Sequence, residues 1–134
     1  MAAEPRDEGA AAAVLARVLA GANLADAGDI LHITLPRLVA EDAPTPLGIE
    51  VCGRALPAAA RLYVIADQNR VPLLAQIELR AERESRHISL DVCLEASTHV
   101  RVVLALEDGS LRQAASWVWV LPRDAVPTRE VRRT

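Results

Sequence analysis

"HVRVVLALEDGSLRQAASWVWVL", residues 99–121, is the stretch on which the fold turns. Two apolar runs flank Asp108-Gly109, a strong signal for a two-residue reversal between strands, because glycine accepts the positive φ that such turns require. The segment therefore reads as an antiparallel hairpin. Working outward from it, "HISLDVCLEA" (87–96) alternates with period two, placing Ile88, Leu90, Val92 and Leu94 inward and Asp91, Cys93 and Glu95 outward. "AARLYVIADQN" (59–69) and "VPLLAQIELRA" (71–81) read as two strands around a turn at Gln68 to Pro72. "TPLGIEVCG" (45–53) puts Leu47, Ile49 and Val51 on one face, with Glu50 and Cys52 on the other. In "ILHITLP" (30–36), Ile30, His32 and Thr34 alternate with Leu31, Ile33 and Leu35.

Ahead of the strands, Val14, Leu15, Val18 and Leu19 recur at helical spacing, so residues 8 to about 20 form a short amphipathic helix that Gly21 stops. About seven short strands at regular spacing, with turn residues between them, make an all-β chain. The architecture expected is an immunoglobulin-like antiparallel β-sandwich with a short N-terminal helix. Residues 1–23 are the helical N-terminal segment, 24–121 the sandwich domain and 122–134 a flexible tail.

Composition excludes several classes of function. At 134 residues the chain is long enough for one domain with a sizeable core, and no apolar run approaches the roughly 20 residues that cross a bilayer. All 15 basic residues are arginine, scattered along a chain of net charge -3, which is not the clustered positive charge of a nucleic-acid surface. The opening "MAAEPRDEG" is acidic, and Arg17 interrupts "AAAAVLARVLAGA", so the start does not read as a cleavable secretory signal. The chain is cytoplasmic if this N-terminus is native.

The order "ITLPRLVAEDAPTPLGIEV", "RLYVIADQNRVPLLAQIEL", "ISLDVCLEASTHVRVVLALEDGSLRQAASWVWV" resembles the SoxY family, the sulfur-carrier subunit of bacterial thiosulfate oxidation. Leu35-Pro36, Ala40-Glu41, Asn69, Pro72 and Asp108-Gly109-Ser110 stand where that family has its Leu-Pro, Ala-Glu, turn and hairpin residues. The signal lies in their order over about residues 24–120. The resemblance implies an immunoglobulin-like sandwich, a SoxZ partner chain, a periplasmic location for the mature form, and a sulfur cargo carried on the thiolate of a flexible Gly-Gly-Cys-Gly-Gly arm. Here the sequence departs from the family. "LPRDAVPTREVRRT" (121–134) has no glycine, no cysteine and two stiffening prolines.

Cys52 and Cys93 both fall at outward positions of strands that an immunoglobulin-type order makes neighbours. They are small strand residues, a cross-strand disulfide, or free thiols; a carrier role suits a rigid strand least. By family parity Val118 and Val120 point inward, which leaves Trp117 and Trp119 outward, in a chain with no phenylalanine. Two outward indoles mark a partner-binding or self-association surface, unless the N-terminal helix lies over them. His32, His87 and His99 lie on separate segments, so a metal site from His87, His99 and Cys93 is not required by spacing. No Ser-His-Asp order or phosphate loop stands out, and neither catalytic residues nor a cofactor are expected. The reading is a non-catalytic SoxY-like subunit that assembles or docks with a SoxZ-like chain and sulfur-oxidation enzymes. The alternatives are a true SoxYZ carrier in shortened form, and an immunoglobulin-like binding module of another periplasmic redox or quinoprotein dehydrogenase system.

Overall fold

A computed structural model describes residues 3–21, 24–28, 30–52, 59–80, 86–106 and 109–122. Asp108, most of the Arg80–His87 turn and the tail beyond Pro122 lie outside the described residues.

Alternating apolar residues make strands, and the strands stack as two sheets. Helix α1 (Ala3–Leu19) comes first. It is followed by β1 (Ala25–Asp26), β2 (Leu31–Thr34), β3 (Leu38–Ala40), β4 (Pro44–Val51) and β5 (Ala59–Ala66). Then come β6 (Leu73–Arg80), β7 (Arg86–Cys93), β8 (Thr98–Leu106) and β9 (Leu111–Leu121). The larger sheet runs β1-β9-β8-β5-β6 with β3 also on β9, and the smaller runs β2-β4-β7. Among the described residues this makes an all-β sandwich in which the seven strands of four or more residues are those read from the sequence. The two short pieces were not foreseen, and they break the antiparallel rule. Both β1 and β3 pair parallel with the outer edge of β9, at Arg112–Gln113 and Trp119–Leu121.

The core lies between the sheets. Leu62, Val64, Val100, Val102, Leu104 and Val118 from the large sheet meet Leu31, Leu47, Ile49, Val51, Val92 and Leu94 from the small one, all buried. A second layer covers the back of the large sheet, where Ala11, Val14 and Val18 of α1 pack on Tyr63, Ile65, Val103 and Leu111. Strands β5 and β8 are thus covered on both faces. This is why "LYVIA" and "VVL" are continuous apolar runs rather than alternating ones.

The helix begins earlier than its hydrophobic stripe suggested. It opens at Ala3 and takes in Pro5, a residue whose backbone suits the first turn of a helix. Its buried stripe is 11, 14 and 18, so Leu19, expected on the inner face, is exposed. Gly21, at φ 82, closes the helix with its amide donating to the Val18 carbonyl at 3.0 Å.

The final hairpin is also longer than two residues. Ala105 is the last residue paired, opposite Leu111. The amide of Leu106 donates to Ser110 and that of Gly109 to Leu106, both at 3.0 Å. Gly109 sits at φ 89, a conformation that glycine adopts without steric cost.

Candidate functional site

The outer face of the large sheet has two halves. Residues opposite one another across β8 and β9 share a face, so His99 stands beside Trp117, Arg101 beside Ala115, and Val103 beside Gln113. Helix α1 covers the half that contains Val103, Tyr63 and Leu111 and stops short of the other. The intramolecular cover considered for Trp117 and Trp119 is therefore absent, although the helix does lie on their face. Trp117 stays 39% exposed and Trp119 59%. Leu38, in register with Trp119 on β3, is 57% exposed and extends the same apolar surface.

The rings are ordered against each other. Trp117 and Trp119 meet edge to face with centroids 5.4 Å apart at 78°. His99 meets Trp117 in the same way at 4.9 Å and 76°. Edge-to-face pairs add to burial energy and hold their rings in place, so this is a preorganised surface. The Trp119 amide is anchored by the Arg37 carbonyl at 2.8 Å.

Between the two halves lies a polar pin. Arg101 reaches Asp67 through three contacts, Nε to Oδ1 at 2.9 Å, Nε to Oδ2 at 3.0 Å and Nη2 to Oδ2 at 2.9 Å, while its Nη1 donates to Gln113 Oε1 at 3.1 Å. The pair is about four-fifths buried, with side chains 21% and 18% exposed. Asp67 opens the turn 67–72, which is tied down throughout. Gln68 donates its amide to Thr98 Oγ1 at 3.1 Å, and Arg70 donates its amide to Glu95 Oε1 at 2.8 Å. Asn69 uses both ends of its side chain, donating Nδ2 to the Cys93 carbonyl at 2.9 Å and accepting the Glu95 amide at 3.0 Å. The residue singled out at this turn thus links the large sheet to the end of the small one.

The cysteines are free thiols, Cys93 exposed and Cys52 half-buried. Their strands are neighbours, as expected, yet the cross-strand disulfide is not formed. In the antiparallel register Cys93 faces Pro44, whereas Cys52 follows Val51, which faces Arg86. About eight residues of strand, roughly 27 Å at 3.4 Å per residue, lie between the two. Disulfides need Cα atoms within about 7 Å.

His99 and His87 are likewise kept apart, because they occupy the outer faces of different sheets. Among the described residues no three or more His, Cys, Asp or Glu side chains, as they are placed, could hold a metal ion. The register does assemble one polar group that spacing alone did not reveal. His87 Nε2 lies 3.1 Å from Ser89 Oγ, and its Nδ1 lies 4.0 Å from Glu50 Oε2 on the next strand. His87 and Ser89 border a groove that also includes Thr34, Pro46, Gly48 and Asp91. The signal that finds them is strand pairing, which a single sequence does not contain. No described helix is long and apolar enough to cross a membrane.

A family model for SoxY, described as sulfur oxidation protein SoxY, matches residues 15–121. Among solved structures, the sulfur carrier protein SoxY from Chlorobium limicola f thiosulfatophilum superposes with a TM-score of 0.59 at 20% identity. That match covers 90% of this chain and 99% of the other. A superoxide reductase (neelaredoxin) from Ignicoccus hospitalis gives a TM-score of 0.53 at 15% identity, over 69% of this chain and 80% of its own. At these identities the structural likenesses speak for the fold. No curated protein matches the sequence.

Proposed function

We propose, for a chain that belongs to the SoxY family of sulfur oxidation proteins, a non-catalytic docking role in which the sandwich of residues 24–121 assembles with a SoxZ-like chain in the periplasm. The family places the chain in sulfur oxidation; the docking role is the finer reading. One observation carries it. The only two tryptophans stand exposed and mutually ordered beside exposed Leu38, on the part of the sheet that the helix leaves open. Tryptophan is enriched among the residues that dominate binding energy, and an open apolar cluster of this kind is costly to leave in water.

The thiol chemistry supports the same reading. A sulfur carrier must bring a thiolate into the pockets of other proteins, which calls for a mobile cysteine. Of the two cysteines here, Cys93 ends strand β7 and Cys52 directly follows β4. Cys93 is held in the ladder with β4, opposite Pro44, and Cys52 is held through its amide, which donates to the Ile30 carbonyl at 2.8 Å.

The test is assembly with a purified SoxZ-like chain, followed by sedimentation. The unmodified chain forms a hetero-oligomer. Trp117→Ala/Trp119→Ala weakens it at least about 30-fold, the equivalent of roughly 2 kcal/mol, with the melting temperature unchanged. An unchanged affinity overturns the docking face. A sulfane-sulfur or thiosulfonate adduct that turns over on Cys93 or Cys52, read by mass spectrometry, overturns the non-carrier role.

A further inference from the structure

The outer face of the small sheet carries a second arrangement, independent of the tryptophan surface. His32 of β2 is the register partner of Glu50 on β4, and Glu50 is in turn the partner of His87 on β7. The three residues form one row across three strands. All three are exposed and point away from the core, since their neighbours Leu31, Ile49 and Val51 point into it. Directly opposed residues in antiparallel sheets have Cα atoms about 4.5–5.5 Å apart, so Glu50 stands midway between two imidazoles within reach of both.

Two of the three donors already face each other. His87 Nδ1 and Glu50 Oε2 are 4.0 Å apart. Two donors at about 2.0–2.1 Å from a tetrahedral ion are about 3.3 Å apart, so closing onto a metal needs a shift well under an ångström. The other ring nitrogen of His87 is held by Ser89 Oγ at 3.1 Å, the outer contact that orients a ligating imidazole. Gly48 lies beside that ring, where a Cβ would make only ordinary contact, 3.5 Å from His87 Cε1. His32 completes the set by a rotamer change on an open surface, a motion of picoseconds to nanoseconds for exposed side chains. The set is therefore closed by the ion rather than waiting as a finished cage.

We propose that His32, Glu50 and His87 bind one divalent transition-metal ion of the zinc type, with Ser89 positioning His87. Two imidazoles and one carboxylate suit zinc, nickel, cobalt or copper(II), whereas calcium and magnesium call for all-oxygen sets of six or more. Three protein ligands leave a fourth position for water or another ligand, and His87 also lines the groove formed with Thr34, Gly48 and Ser89.

The experiment is calorimetric titration of the untagged, metal-stripped chain with zinc chloride, then nickel chloride, at pH 7.5 in a non-chelating buffer. The expected result is one ion per chain, with affinity lowered at least tenfold by His32→Ala, Glu50→Gln or His87→Ala. Ser89→Ala lowers it about tenfold through the outer contact. His99→Ala and Cys93→Ser leave it unchanged, and magnesium chloride produces no saturable heat. Circular dichroism melts confirm that each variant is folded. Absence of saturable zinc binding overturns the proposal. So does binding that survives His32→Ala and His87→Ala, or that is lost with Cys93→Ser instead. Neither result touches the docking role, which rests on the opposite face.

Discussion

Replacing Asn69 by alanine removes two hydrogen bonds that join the sheets where the tryptophan surface meets the 67–72 turn. Asn69 is 8% exposed, its Nδ2 donates to the Cys93 carbonyl at 2.9 Å, and its Oδ1 accepts the Glu95 amide at 3.0 Å. A neutral hydrogen bond contributes about 1 kcal/mol, and a buried polar group left unpaired costs about 1–3 kcal/mol. Water reaches part of this edge, since Cys93 is exposed, so the total comes to about 2–3 kcal/mol. For a chain of this size that corresponds to a drop of roughly 10 °C in melting temperature. Asn69→Asp sharpens the test. Its carboxylate still accepts from the Glu95 amide but turns an oxygen toward the Cys93 carbonyl, with the Glu95 carboxylate nearby. These oxygens disfavour the charged form and raise the folded pKa above the unfolded value of about 3.9. Relative to the Asn69 protein, the aspartate variant is therefore most stable below that value and loses ground as pH rises through its folded pKa. Urea unfolding of the three proteins from pH 4 to pH 7 reads both effects. A loss below about 0.5 kcal/mol for the alanine variant refutes the bridging argument, as does an aspartate penalty that does not change with pH.

Asp67→Asn leaves Arg101 without its carboxylate in a site where the pair is about four-fifths buried, and should cost about 2 kcal/mol, between the surface and fully buried limits. The double change Asp67→Leu/Arg101→Met should recover most of that loss in a thermal melt. Cys93 should react with a maleimide reagent well before Cys52, and treatment with a reductant should leave the intact mass unchanged, because both are free and at opposite ends of the paired strands. Val14→Asp, which puts a charge where α1 packs on Tyr63 and Val103, should cost about 3 kcal/mol or detach the helix, read as lost helical ellipticity with the β signal retained.

The main strands were legible because each carries its own signal. Leu47, Ile49 and Val51 alternate with exposed neighbours since one face of β4 meets the core and the other water. Gly21 and Gly109 marked their reversals because both occupy positive φ, which side chains resist. The parallel pairings of β1 and β3 were not legible. Ala25-Asp26 and Leu38–Ala40 are too short for any period, and their place on the edge of β9 depends on residues some 80 positions away. The same limit hid the site residues. The outward parity of Trp117 and Trp119 could be read, but whether α1 reached them depended on where the helix docks, and the Arg101–Asp67 pin lies between. Likewise the row His32, Glu50, His87 exists only in the register of three strands. For Cys52 and Cys93, adjacency of strands was inferred correctly, yet antiparallel direction set the thiols at opposite ends.

The tryptophans themselves allow the most direct test, since the chain has two and both lie in the proposed interface. Their emission is recorded while a SoxZ-like chain lacking tryptophan, or carrying phenylalanine in its place, is added. Burial of two indoles now 39% and 59% exposed should shift the emission to shorter wavelength and reduce quenching by acrylamide, saturating with complex formation. A complex that forms while emission and quenching stay as they are in the free chain would place the partner elsewhere and contradict the docking account.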